Sequence, residues 1–139
     1  MKILDSKTIE RVQKILARQP NILAAYLFGS QVAGFANKKS DLDLAVVVQD
    51  KKRLNEFDLL ELLNEVRFPR DLDISVVDRT SSPLFLFEII SGGNRIYEKN
   101  GEAAAFEARV LNSYYDTRHL RNIYKIYLKE ALKKGVYGY

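Results

Sequence analysis

The stretch from Ile22 to Val48, ILAAYLFGSQVAGFANKKSDLDLAVVV, decides how this chain folds. It holds two short apolar runs, Ile22 to Phe28 and Leu42 to Val48, separated by a polar segment that contains glycine. Each run is nearly continuous in apolar residues and bounded by turn-formers, the pattern of a buried β-strand. Gly29-Ser30, closing the first run, can open a helix whose free N–H groups face an anion. Asp41 and Asp43, at i and i+2 on the next strand, point to one side of it, roughly 7 Å apart. Phosphate-holding amides beside paired carboxylates are what a metal-assisted phosphoryl or nucleotidyl transfer needs. Four such residue types at fixed spacing arise by chance at about 10⁻⁵ per starting position, or on the order of 10⁻³ over the chain.

Outward from this stretch, helix and strand patterns alternate. Ser6 or Asp5 can cap a first helix with an apolar stripe of Ile9, Val12, Ile15 and Leu16, and Pro20 lies just past its end. A short helix is expected after Ser30, then a loop from Gly34 to Ser40. The spacing of Leu59, Leu60, Leu62, Leu63 and Val66 predicts a helix over Leu54 to Phe68 facing these residues inward, ended by Pro69. Leu72 to Val77 reads as a third strand, and Asp78 as the cap of the following turn. Pro83 suits the first turn of a helix over Leu84 to Ser91, closed by Gly92-Gly93. A short strand from Arg95 to Tyr97 and a turn at Asn100-Gly101 lead into a helical region from Glu102 to about Lys134. Its apolar spacing shifts near Asp116, where a bend is expected. The order predicts an α/β sandwich, a small mixed sheet flanked by helices with a long C-terminal helical region.

At 139 residues the chain is read as one domain, with a catalytic core over residues 1–100 and a helical region over 101–139. An apolar fraction of 47% supports a core, and 29% charged residues is ordinary for a soluble protein. No run approaches a membrane span, and MKILDSKTIERVQ lacks a signal-peptide h-region, so the cytoplasm is expected and no membrane partner is. With no cysteine and one histidine, disulfides and thiolate or His-rich metal sites are excluded. The net charge of +4 matters less than its distribution, because Arg118 to Lys134 carries six Lys/Arg against Glu130. That face can attract an acidic partner or nucleic acid, or be merely solvated.

A third carboxylate is needed beside Asp41 and Asp43, and Asp71-Leu72-Asp73 offers two in register. GSQVAGFANKKSDLDLAVVV resembles the Gly-Ser-x₁₀-Asp-x-Asp signature of the nucleotidyltransferase superfamily in its minimal (MNT) form. RDLDISVVDRTSSPLFLFEIISGGNRIYEKN is similar to that family's third-carboxylate strand with the helix and short strand after it. FEARVLNSYYDTRHL resembles the C-terminal helix of the small MntA-type antitoxins, which partner HEPN-domain toxins called HepT. The resemblance implies a polymerase β-like fold, with Asp41, Asp43 and Asp73 as the catalytic and metal-binding residues. Asp41 and Asp43 would bridge two Mg²⁺ ions (Mn²⁺ being a possible substitute). Asp73 would hold the catalytic ion and help deprotonate the attacking hydroxyl. Gly29 and Ser30 would hold the phosphates of ATP. Many family members carry a basic residue before the glycine at position 34; here it is Ala33, and Lys38 or Lys39 can substitute or be solvated.

Little chain remains to hold an acceptor, so another macromolecule is expected to supply it. The resemblance implies a tyrosine hydroxyl on a HEPN ribonuclease toxin, modified with AMP by its antitoxin partner, a type VII-like pair forming a hetero-oligomer through the C-terminal helix. Two alternatives stand beside it: neutralisation by contact alone, and small-molecule transfer of the aminoglycoside type. Nucleic acid is not expected as a direct substrate. The dense tyrosines Tyr114, Tyr115, Tyr124, Tyr127, Tyr137 and Tyr139 fit a helix core, a protein interface or single-stranded nucleic acid. His119 is read as structural.

Overall fold

The computed structural model describes residues 4–28, 42–69 and 71–133. In chain order these form α1 (Ser6–Ala17), β1 (Ile22–Phe28), β2 (Leu42–Val48), α2 (Glu56–Leu62) and β3 (Leu72–Val77). They continue with α3 (Pro83–Gly92), β4 (Asn94–Glu98), α4 (Glu102–Asp116) and α5 (Arg118–Lys133). The short helix expected after Ser30 lies outside the described residues. The strands make one mixed sheet in the order β3-β2-β1-β4, with β1 antiparallel to β2 and β4, and β2 parallel to β3.

Helices cover both faces, which is why the two central strands are apolar almost throughout. On one face Val12, Ile15 and Leu16 of α1, with Leu59 and Leu63, pack on Leu42, Leu44, Val46, Ile74 and Val76. On the other, Leu86 and Ile89 of α3 and Ala103, Phe106 and Val110 of α4 pack on Tyr26, Ala45, Val47 and Val77. Burying one such aliphatic side chain stabilises the fold by roughly 1.5–3 kcal/mol. Tyr26 crosses the second layer with its hydroxyl donating to Glu107 Oε1 at 3.1 Å, so the buried phenol is satisfied. Burial first, then the Glu107 charge, pushes its pKa well above the ordinary value.

Local chemistry sets the element ends. Asp5, rather than Ser6, caps α1, accepting from the Thr8 N–H at 2.8 Å. Asn55 and Asp58 form a reciprocal capping box on α2. That helix is much shorter than its apolar spacing predicts. After Leu62 the chain tightens into successive turns, with Asn64 N–H donating to Glu61 O and Val66 N–H to Leu63 O. Arg11 Nη2 takes the Glu65 carbonyl at 3.1 Å, a partner outside the helix. Val66 is still buried, but Leu60 is 45% exposed, because a seven-residue helix turns only one narrow stripe to the sheet.

Asn100 and Gly101 both take positive φ, 45° and 77°, in the turn that opens α4. Gly93 has a different reason to be glycine: its φ of −89° is ordinary, but a Cβ there would lie 2.2 Å from Ile89 O and 3.3 Å from Leu27 O. Gly93→Ala must therefore displace backbone at the α3–β4 junction. The expected cost is roughly 1–3 kcal/mol or more, read as a fall in the thermal midpoint.

The bend expected near Asp116 is present at Thr117. Its hydroxyl donates to Ser113 O and Tyr114 O, and Arg121 from the next helix donates to Tyr114 O at 2.6 Å and to the Thr117 hydroxyl. The Arg121 guanidinium lies 3.5 Å over the Tyr114 ring, which stacks at 3.8 Å on Phe87 of α3. This three-layer stack ties the start of α5 to the body of the domain.

Asp78, just past β3, is buried and caps its turn as expected: it accepts from the Thr80 N–H and hydroxyl, and also from the Lys51 N–H. Burial pushes its carboxyl up, but the Thr80 hydroxyl and the two backbone N–H groups outweigh this and hold it below the ordinary value of 3.8. A carboxyl depressed on folding contributes stability above its unfolded pKa and loses it as pH falls through the folded one. Asp78→Asn should therefore lower stability at pH 7 by about 1–3 kcal/mol. The wild-type excess over this variant should shrink below about pH 4, in denaturant titrations across that range.

Candidate active site

The candidate site sits where β1 ends and β2 and β3 begin. On β2, Leu42 and Leu44 are drawn into the core under α1 and α2, and strand alternation turns Asp43 to the opposite face. On β3, Ile74 goes to the same core, so Asp73 turns the same way as Asp43. The parallel register pairs Asp43 directly with Asp73, and the antiparallel one pairs Asp43 with Phe28. Neighbouring strands lie about 4.8 Å apart, so the two carboxylates are held side by side by the sheet itself. Asp43 is half-buried and Asp73 exposed, at the open mouth of the sheet.

A backbone hydrogen bond and an aromatic contact frame them. Leu42 N–H donates to Asp71 O at 2.8 Å, joining the strand mouths. Asp71 thus does its visible work through its carbonyl, while its side chain stays exposed. Phe85 of α3 meets Phe28 edge-on, ring centres 5.9 Å apart, giving the site an apolar flank. Phe85 carried no signal in the sequence, where it is one more apolar helix residue; only the crossing of α3 over the sheet brings it there.

Two adjacent carboxylates repel each other unless a cation lies between them, and hard divalent ions take oxygen ligands of this kind. The donor chemistry and the shared face of Asp43 and Asp73 fit a divalent metal. No group of three or more potential ligands forms among the described residues. Gly29, Ser30 and Asp41, expected beside this pair, lie outside them, as do Ala33, Lys38 and Lys39.

The sequence matches the family Polymerase beta, Nucleotidyltransferase over residues 10–102. The chain belongs to that family. The matched span contains all four strands, both carboxylates and the expected Gly-Ser segment. A protein adenylyltransferase, MntA of Shewanella oneidensis, is 26% identical over 96 residues, 68% of each chain. The fold also resembles a chain in a crystal structure of a toxin–antitoxin with AMP-PNP. The TM-score is 0.61 at 20% identity, covering 93% of this chain and 99% of that one. A complex of tri-AMPylated S. oneidensis HEPN toxin with MNT antitoxin contains a similar chain, with TM-score 0.62, 19% identity and the same coverage. The mixed sheet with flanking helices expected from the sequence is thus the nucleotidyltransferase fold.

The C-terminal helix departs from one expectation. Packing of Tyr124, Tyr127 and Ile123 as the core side of a helix is not observed: they are 62%, 65% and 51% exposed. Ile126 and Leu132 are also exposed, whereas Leu128 is half-buried and Ala131 buried. No helix among the described residues is long and apolar enough to cross a membrane.

Proposed function

We propose that this chain is the antitoxin of a toxin–antitoxin pair and acts as a metal-dependent protein adenylyltransferase, moving AMP from ATP to a tyrosine hydroxyl of a HEPN toxin. The observation that carries the reading is the pairing of Asp43 with Asp73 on one face at the mouth of a nucleotidyltransferase sheet. A module that only binds has no need of two unlike-strand carboxylates in register. The similar MntA protein and the similar chains of HEPN toxin complexes supply the acceptor class.

In the proposed reaction the tyrosine oxygen forms a bond to the α-phosphorus of ATP, the bond to the bridging oxygen of the β-phosphate breaks, and diphosphate leaves. Asp73, the more exposed carboxylate, takes the phenolic proton or orients the hydroxyl for its loss. Asp43 and Asp73, with Asp41 two residues before Asp43 in the sequence, would hold two divalent ions, with Mg²⁺ the natural choice. When bound, these would offset the charge that develops on the attacking and leaving oxygens. Gly29 and Ser30, following directly on β1, would hold the phosphates. Phe85 and Phe28 make the flank against which a substrate lies.

The partner is proposed to dock on α5, whose exposed Ile123, Ile126 and Tyr127 recur at i, i+3 and i+4 among basic residues. Residues 101–139 would then serve recognition, and residues 1–100 chemistry. The test is the intact mass of a HEPN partner co-expressed with this chain. A shift by whole AMP units supports transfer. An unshifted toxin in a stable complex would make the chain a neutraliser by contact, a reading that the apolar exposure of α5 also favours.

A further inference from the structure

A second cluster of functional groups lies at the far end of the same face of the sheet. Two adjoining cavities, of about 360 and 240 Å³, share Arg79, Phe106 and Arg109 in their walls. The first reaches Val47 and Val48, four to five residues along β2 from Asp43, or about 15 Å at the rise of a strand. It is therefore separate from the carboxylate pair.

Both arginines are held on fixed backbone. Arg79 lies in the turn pinned by buried Asp78, whose N–H donates to Ser81 Oγ at 3.1 Å while its carboxylate accepts from Thr80 and Lys51. Arg109 stands on α4 between Phe106 and Val110, both buried against the sheet. Among the described residues neither Arg79 nor Arg109 has a side-chain partner, which is equally true of the exposed Arg18, Arg67 and Arg118; what sets this pair apart is that both line the same two cavities. Two guanidinium groups on rigid supports, unpaired and facing shared space, ask for an anion. Gln49, Asn112 and Ser113 add polar groups at the rims, and Glu102 is the single acid. The floor is apolar, made by Leu86, Phe106 and Val110. Joined, the cavities come within the size range of small-molecule sites, about 300–1,000 Å³.

We propose that this cleft binds a nucleoside monophosphate, its phosphate between Arg79 and Arg109 and its base over the Leu86–Phe106–Val110 floor. The site is distinct from the transfer site and independent of the function proposed above.

The experiment is equilibrium dialysis of AMP against the full chain in EDTA, with the double variant R79Q/R109Q alongside. Saturable binding is expected in the wild type, with R79Q/R109Q at least tenfold weaker. Both arginines are solvent-facing, so the circular dichroism melting curves should coincide. No saturable binding by the wild type up to millimolar AMP overturns the proposal. Equal affinity in R79Q/R109Q does so as well. Inorganic phosphate binding as tightly as AMP would overturn the place given to the base.

Discussion

Asp43→Asn and Asp73→Asn, made together, will abolish AMP transfer to a HEPN partner while leaving the fold in place. Each asparagine keeps the size of the side chain but removes the charge that a metal or a departing proton needs. The loss of one preorganised electrostatic group in an active site costs about 10²–10³ in turnover, and two acting on one event take the rate below detection. The measurement is the intact mass of the partner after co-expression, with label from α-³²P-ATP as the kinetic version. The fold should persist, because Asp73 is exposed and Asp43 only half-buried at the mouth of the sheet. A cooperative thermal transition with no transfer is the expected pair of results. Full transfer by the double variant would remove these residues from the chemistry and leave the protein a binding partner alone.

Ile126→Asp with Tyr127→Asp should have the second large effect, on association. Both side chains are more than half exposed, so their replacement costs the isolated chain little. At an interface, apolar and aromatic anchors of this kind carry about 2–4 kcal/mol each, and a buried carboxylate adds a desolvation penalty. Affinity for the HEPN partner should drop at least 100-fold by calorimetry, and AMP transfer at low partner concentration should fall with it. Added salt should weaken the wild-type complex too, if the basic residues of α5 steer an acidic surface towards it. An unchanged dissociation constant would move the interface away from α5. Arg121→Ala should be milder: it loosens the stack on Tyr114 and Phe87 that sets the direction of α5 without removing a contact surface.

The two results would separate chemistry from recognition. Loss of transfer with binding intact is the signature of the carboxylate pair, and loss of both that of α5.

Much of this was legible in the chain before folding was considered. The strands Ile22–Phe28, Leu42–Val48 and Leu72–Val77 have the bounds their apolar runs predict, because a strand covered on both faces must be apolar at nearly every position. Asp43 stood out through its i, i+2 spacing from Asp41 after Gly29-Ser30, and Asp73 through the resemblance to the family's third-carboxylate strand. The kink at Thr117 was visible as a shift in helical spacing. Where local pattern failed, a non-local competitor had won. Leu60 shares the spacing of its neighbours, yet is left exposed once α2 is cut to seven residues. Tyr124 and Tyr127 look like core residues because an exposed apolar stripe and a buried one have the same periodicity.

By itself the sequence determined where the three longer strands run and roughly where the helices lie, since the spacing of apolar residues is a property of neighbours along the chain. Only the tertiary structure decided that Asp43 faces Asp73, that Phe85 flanks them and that Arg79 and Arg109 share a cleft. Register across strands and the crossing of a helix over a sheet depend on contacts between residues far apart in sequence, and no local period encodes them.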